Sequence, residues 1–547
     1  MKELCTFGKK HGKALTALFF AAILLVGLLT VMDYGKPWDE PGEINILRMA
    51  LMEYGELLPF ETGFHQSLSE MGVVRLSESI ERDHGSSLYY PLAGIVCNPS
   101  LSSHQLTFYW RAYTWLLFSL GGFALYALCR RMGLSRALGC LGVLFLMLSP
   151  RFFADGHYNN KDIALMVVVL VVLWQTARLT EKPSFGRGTL FAVAAAFCVS
   201  TRVIGAAVCG LCGLLLLARL FLRRELNGRT VRVGLFTLGL SVLLYLLLTP
   251  SFLADPGGYI VYVLRNSYSF SRWNGQVLFM GGVIDLSWTR PPLYYLPVMF
   301  ALTTPVWALA LLVLGQLGAL RAMWRGRLRV LLTDEGFIVT LCSLTWFLSL
   351  LGCILMRVRV YNGWRHVYFL YGPMLVLMVY GYAKLWAHAR IRVVPRRVIA
   401  GAAAVLLGVN GALLALNHPY QYAYYNPLVP RNGLETSYEL DYWNVSMFDA
   451  LKALVEQAGP EEPLRVLPSD GKTRSGVVHA IDRLGVNGRV ELLPVGEPAS
   501  GPYYVIANTT YAQLAGWSPT EDMQAVHSIT AYGATLATVY YKGAQTP

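Results

Sequence analysis

Charged side chains are what this chain has least of: Asp, Glu, Lys and Arg make up 14% of its 547 residues, against about 25% in an average soluble protein. That scarcity excludes an ordinary soluble enzyme with a solvated surface. It also makes a nucleic-acid reading of the formal +13 charge unnecessary, provided the basic residues have another job. Cysteine carries little information. Nine are scattered, most within apolar stretches, and Cys209-x-x-Cys212 has metal or redox spacing but lies in an apolar helix without a second ligand pair, where packing explains it. There is no internal repeat and no low-complexity segment.

Hydrophobic residues, 55% of the chain with a mean hydropathy of +0.45, take the place of charge. Apolar stretches long enough to cross about 30 Å of hydrocarbon, about 20 residues each, are expected near 14–32, 107–128, 136–150, 163–178, 188–201, 203–220, 232–250, 293–316, 337–356, 367–387 and 397–416. The fold class is therefore an α-helical polytopic membrane protein of about eleven transmembrane helices. Lys2, Lys9, Lys10 and Lys13 precede the first span, and the K/R bias of short loops marks the cytoplasmic side. The arginine-rich loops at 130–136, 178–187, 223–229, 321–329 and 390–397 fall on that side too. The N-terminus is thus expected in the cytoplasm and the positive charge serves as topological anchoring. The first span lacks a small-residue cleavage site and reads as an uncleaved anchor.

With eleven spans the unusual sequence collects outside: loops 33–106, 151–162, 251–292 and 357–366, and the polar tail 417–547. The first loop begins Trp38-Asp39-Glu40-Pro41. Pro41 predicts a helix start at about residue 41, and Ile44, Leu47, Leu51, Tyr54 and Leu58 predict an amphipathic helix in the membrane interface. Its positive end would favour an ionised Asp39, a base at the lipid surface. The alternative is that Glu40 caps the helix and Asp39 is merely solvated. Further along, Glu61, Glu70, Glu78, Glu81 and Asp83 surround His65 and His84. Solvated loop charge is the simpler account, with metal binding the alternative.

Nine cations break the positive-inside pattern: Arg151, Lys161, Arg202, Arg265, Arg272, Arg290, Arg357, Arg359 and Arg365. Single exceptions are ordinary snorkelling. Flanking nearly every outer loop, they suggest donors facing phosphate at the outer leaflet. Arg202, in the turn of an otherwise apolar hairpin, needs an anionic partner or water. Arg365-His366, at the start of the tenth span, offers a planar fork and a titratable ring. In loop 251–292, Tyr259, Tyr262, Arg265 and Tyr268 are candidates for a flap hinged at Gly257-Gly258 and Gly281-Gly282, with aromatic anchoring the alternative. The tail carries a helical pattern at 443–458 and strand-like runs at 464–467, 489–493, 503–507 and 535–541. This predicts a small extracytoplasmic α/β domain without a phosphate loop or a nucleophile elbow. Asn444-Val445-Ser446 and Asn508-Thr509-Thr510 match glycosylation sequons, a motif common by chance.

The chain resembles GT-C class integral-membrane glycosyltransferases, the group of protein O-mannosyltransferases and the lipid A aminoarabinose transferase. The likeness rests on Asp39-Glu40 after the first span, Lys161-Asp162 in the second outer loop, Arg290-Pro291-Pro292-Leu293-Tyr294-Tyr295 running on to Thr304-Pro305, and Gly363-Trp364-Arg365-His366. His418-Pro419-Tyr420-Gln421-Tyr422 and Glu439-Leu440-Asp441-Tyr442-Trp443 resemble bacterial members. The resemblance implies a GT-C catalytic domain over 1–416, an extracytoplasmic α/β domain over 417–547 and a bacterial inner-membrane location. It also implies hexosyl or pentosyl transfer from a polyprenyl-phosphate donor to a lipid, glycan or protein acceptor, with inversion. Asp39 would be the base, Glu40 and Asp162 would orient it, the acceptor or a cation, and Lys161, Arg202, Arg365 and His366 would hold the donor phosphate. Metal use varies in the class; no specific ligand set is visible, so a divalent metal stays open and no cofactor is named. The sugar and the acceptor are not legible. The competing reading is a transporter or flippase of lipid-linked saccharides, against which stands the near-absence of ionisable residues at span centres. A membrane-anchored binding protein built around the tail would leave the loop chemistry unexplained.

Overall fold

The structure, a computed structural model, describes residues 2–58, 63–268, 275–389, 395–459, 463–497 and 500–543. Among them, nine helices are long and apolar enough to cross a membrane, and a tenth span arises if the pair Arg136–Met147 and Pro150–Tyr158, bent by 76°, is counted as one. The protein is an integral multi-pass membrane protein by this measure. Each of the eleven predicted segments is helical, but Phe185–Thr201 has only 17 residues, about 26 Å at 1.5 Å per residue, and fails on length. Its ends nonetheless meet the two ends of its neighbour Asn160–Glu181: Arg187 bonds Glu181 at 3.1 Å and Arg202 pairs with Asp162. The eighth expected span is broken into Tyr295–Thr303 and Val306–Gly326 at Thr304-Pro305, because proline cannot donate within a helix and disfavours helical backbone before it.

Polar residues at the right places start these helices. Ser102 and Gln105 form a capping box before Ser103–Arg131, Asn159 accepts from Asp162 N before Asn160–Glu181, and Asn227 and Thr230 do the same before Gly228–Leu247. Burial sorts the spans. The apolar windows of Arg365–His388 and Asn160–Glu181 are 89% and 83% buried, whereas those of His11–Thr30, Gly228–Leu247 and Arg396–Leu416 are 11% buried. The first two are the core of the bundle, and the others turn their apolar surface outward, as lipid-facing helices do. Small residues permit the closest approach: a Cβ at Gly315 would stand 1.9 Å from Leu377 O, and one at Gly381 2.6 Å from Leu311 O.

At one end of the bundle lie the loops and the C-terminal region. Strands β1 (Gln276–Phe279) and β2 (Gly282–Asp285) form a hairpin. Strands β3 (Leu464–Pro468), β4 (Val490–Leu492), β5 (Tyr503–Asn508), β6 (Met523–Ala531) and β7 (Ala534–Lys542) form a sheet in the order β4-β3-β5-β7-β6. Its β4-β3-β5 side is parallel and its β5-β7-β6 side antiparallel. Helix Ser446–Gln457 packs on it through Met447, Leu451 and Leu454, and helix Gly471–Leu484 through Val477 and Ile481.

Two expectations need correction. The helix expected from about residue 41 runs over Glu40–Leu57, with Asp39 in the N-cap position, but its buried apolar residues do not form one stripe. Ile44 and Leu47 pack with Leu68 and Trp110, while Ile46, Met49 and Ala50 pack with Leu76 on another side, so the loop's own residues cover it. The hinge glycines are also placed otherwise. Gly257 and Gly258 lie in the first turn of helix Pro256–Tyr268, where Asp255 Oδ1 accepts from Gly258 N at 2.9 Å. Met280 and Gly281, with φ of 54° and 79°, form the two-residue turn of the hairpin, the geometry that matches strand twist.

Candidate functional site

The helix-start geometry leaves the Asp39 carboxylate available. Its backbone is helical (φ −78°, ψ −25°), its side chain makes no cap hydrogen bond, and its carbonyl accepts from Glu43 N at 3.0 Å. Around it the structure gathers residues from four segments. Arg365, from the start of the penultimate apolar helix, brings Nη1 to 3.8 Å from Asp39 Oδ2 and 3.3 Å from Asp162 Oδ2. Arg202 pairs with the other oxygen of Asp162. Asn159 Nδ2 donates to Asp162 Oδ2 at 3.2 Å. Lys161 Nζ lies 3.0 Å from His84 Nδ1 and 3.9 Å from Glu43 Oε1.

Exposure divides the cluster. Asp162 and Arg365 are buried, with side chains 1% and 6% exposed, whereas Asp39, Arg202 and Lys161 keep 30%, 24% and 20%. Loss of solvent around Asp39 pushes its carboxyl up to about 6 against the pull of Arg365 and Lys161, with Glu43 and Asp162 adding to the rise. Burial likewise raises Glu43. A carboxyl titrating near 6 is a usable base at neutral pH.

Arg365 is held from the other side by aromatic rings. Its guanidinium lies 4.9 Å from the Tyr361 centroid, 5.0 Å from Tyr442 and 4.9 Å from Trp443, and Nη2 donates to Tyr442 OH at 3.1 Å. The Nε atoms of Arg202 and Arg365 and His366 Nδ1 are buried without a hydrogen-bond partner. They are spare donors or, for the imidazole, a spare donor or acceptor at the site.

The predicted set thus converges with one exception. Asp39, Asp162, Lys161, Arg202 and Arg365 meet in one cluster, and His366 stacks edge-on to Tyr361 with centroids 4.4 Å apart. Glu40 turns away. Its Oε2 accepts from Arg111 Nε at 2.7 Å, and Arg111 also donates to Tyr34 O and Gly35 O at 2.9 and 3.0 Å. Glu40 therefore secures the strap before Asp39 by a buried ion pair and makes no hydrogen bond to Asp39.

The nine exceptional cations also separate. Arg151 is caged between the Tyr422 and Tyr425 rings, each 4.8 Å away. Arg290 and Arg357 bond turn carbonyls, Met356 O and Arg290 O. Arg265 is exposed, and Arg272 lies outside the described residues. The flap residues are docked: Tyr262 OH donates to Ile80 O at 2.6 Å under Arg82, and Tyr259 lies 3.3 Å from Tyr245 OH. Nothing is described of the Tyr268 side chain, and Glu61 lies outside the described residues. Among the described residues no group of three or more His, Cys, Asp or Glu could hold a metal. His84 is wedged between Glu43 and Glu81, at 3.2 and 2.7 Å.

Residues missed from sequence are Glu43, Arg111 and Tyr361; Tyr442 and Trp443 lie in a segment that the family resemblance had marked, without a place in the site. Glu43 stands four residues after Asp39, a spacing that puts both on one helix face. Arg111 is a lone charge in an apolar stretch, which announces a partner without naming Glu40.

No protein-family model matches the chain, and no curated protein matches it. Among solved structures it is similar to ArnT from Cupriavidus metallidurans bound to undecaprenyl phosphate, at 14% identity over 97% of this chain and 98% of that one, with a TM-score of 0.43. It is also similar to the apo Archaeoglobus fulgidus oligosaccharyltransferase, at 13% identity over 96% and 74% with a TM-score of 0.43. The arabinofuranosyltransferase AftD from Mycobacteria gives 15% identity over 97% and 42% with a TM-score of 0.42.

Proposed function

We propose that the protein is a glycosyltransferase that moves a sugar from a polyprenyl-phosphate donor to an acceptor at the non-cytoplasmic face of the membrane. The observation that carries this reading is Asp39: a partly exposed carboxylate that makes no cap bond, has a pKa raised to about 6 and lies among Arg365, Lys161 and Arg202 at one end of an apolar bundle. Asp39 takes the proton of the acceptor hydroxyl or amine while that atom bonds to the anomeric carbon. The bond from that carbon to the phosphate oxygen breaks, and its electron pair leaves on polyprenyl phosphate. A phosphate leaving group needs little protonation, so stabilisation by fixed cations in a partly dry site replaces a general acid. One base and one displacement give inversion at the anomeric carbon. Two-carboxylate glycoside hydrolysis instead needs groups on both sides of the bond.

Asp162 is assigned to the buried part of the cluster, where it balances the charge of Arg202 and Arg365 and fixes their orientation. Lys161, Arg202 and Arg365 are the phosphate-facing cations, and His366 supports them. Purified protein given radiolabelled polyprenyl-phosphate sugars and candidate acceptors, beside Asp39→Asn, tests the assignment. The wild type is expected to transfer sugar and the variant to lose about 10²–10⁴-fold in rate. Undiminished transfer by the variant contradicts the base, and failure of the wild type to consume any such donor favours a transporter or flippase.

A further inference from the structure

We propose that Tyr442, contributed by the chain beyond the last apolar helix, is a positioning residue that holds Asp39 and Arg365 in register. The inference rests on the Asp39 reading above and assigns to the C-terminal region a part in the site.

Tyr442 touches both halves of the cluster. Its hydroxyl accepts from Arg365 Nη2 at 3.1 Å. Its carbonyl accepts from the Trp38 indole N–H at 3.1 Å, and the two rings pack edge to face 5.5 Å apart. Trp38 is the residue before Asp39, so one side chain and its own carbonyl tie the base to the cation. Tyr442 is 2% exposed and is itself fixed by the sheet domain. Tyr511 OH, just beyond β5, donates to Tyr442 O at 2.6 Å, and Asn508 Nδ2 donates to Asp441 O at 3.0 Å. The following turn is closed by Asp441, whose carboxylate accepts from Val445 N and Ser446 N at 3.0 and 2.9 Å.

The strap leading to Asp39 is clamped by the same region. Lys472 lies 4.1 Å above the Trp38 ring, and Arg483 donates to Met32 O and Tyr34 O. A Cβ at Gly35 would meet Val445 O at 2.2 Å, an approach only glycine allows. A purely structural tail would pack against the bundle without bonding the residue next to the base and the nearest cation at once.

The charged and titratable groups facing Asp39 are Arg365, Glu43, Lys161 and Asp162, and Tyr361, Tyr442 and Tyr511 neighbour it without titrating near neutrality. Without the Tyr442 hydroxyl, Arg365 is drawn to the buried Asp162 at 3.3 Å in preference to the part-exposed Asp39 at 3.8 Å, and Asp39 loses its nearest cation. The test is the infrared carboxyl titration of the full-length protein in detergent, with the Asp39 band assigned from Asp39→Asn, on wild type and Tyr442→Phe. The Asp39 midpoint is expected to rise by about one pH unit in Tyr442→Phe, and kcat to fall about tenfold with KM little changed. An unchanged midpoint overturns the proposal, whatever the activity. Wild-type protein inactive with every polyprenyl-phosphate sugar would sink the glycosyltransferase reading while the midpoint still decides the positioning role. If Tyr442→Phe misfolds, Trp38→Phe cuts the same link from the other side and is expected to raise the midpoint in the same sense; no movement there is the contrary result.

Discussion

Asp39 and Asp162 both face Arg365 Nη1, at 3.8 and 3.3 Å, yet 30% of the first side chain is exposed and 1% of the second. Asp162 sits at the start of a helix whose window is 83% buried, accepts from Asn159 and pairs with Arg202 and Arg365, so three of its roughly four acceptor positions are taken. Asp39 lies at the end of a strap held by others and, among the described residues, makes one ion pair, the loose one with Arg365. On the proposed reading, of two carboxylates around a shared arginine the well-bonded one is a fastening and the poorly bonded one a reagent. Bonding, more than residue type, separates the two roles.

Conservative substitutions break the comparison most sharply. Asp39→Asn is expected to remove sugar transfer by the 10²–10⁴-fold given above with little effect on folding. Asp162→Asn is expected to do the reverse first. It leaves Arg202 and Arg365 without their common counter-charge, and breaking a buried pair costs about 3–5 kcal/mol, read as a lower unfolding midpoint in detergent. If Asp162→Asn instead stays fully stable and only activity falls, the division of labour is wrong. Glu40→Gln is expected to cost less, about 1–3 kcal/mol, because Arg111 keeps its carbonyl partners at residues 34 and 35.

The smallest effect concerns Asp39 alone. Its folded pKa, about 6, lies above the ordinary carboxylate value of 3.8, so the folded state holds the proton more tightly than the unfolded one. The stability this confers is present at low pH and lost as pH rises through 6. Asp39→Asn is therefore expected to melt about 2–4 °C above wild type at pH 8 and level with it at pH 4. A variant less stable at pH 8 would show that the Asp39 carboxylate fastens the fold as Asp162 does.

Much of this arrangement was legible in the sequence. The helices were, because long apolar runs with few charges have one stable form in a bilayer. Asp39, Lys161, Arg202 and Arg365 were, because cations on the wrong side of the positive-inside pattern and a carboxylate after the first span mark the same face. β6 was not. Met523–Ala531 is an edge strand with exposed residues along most of its length, so it lacks the apolar run by which the other four strands of its sheet were found; the hairpin of β1 and β2 was likewise not expected. The flap glycines misled because Asp255 caps the helix at Gly258, a local hydrogen bond that composition does not announce. The place of Tyr442 in the site was beyond reach, although its segment was marked by the resemblance. Tyr442 meets Trp38 across 404 residues of chain, and only tertiary packing brings such a pair together. The resemblance implied an orienting role for Glu40, and the residues alone allowed a capping one. In the helix that starts there its side chain points to Arg111.

The central claim, that Asp39 is a partly desolvated base, is tested most directly by the pH dependence of the transfer rate of the wild-type enzyme under single-turnover conditions. A base must be deprotonated to act, so the rate is expected to rise with pH and level off, with a midpoint near 6, and the residual rate of Asp39→Asn is expected to lack that limb. A wild-type rate already flat from pH 5 upward, or the same limb persisting in Asp39→Asn, would contradict it.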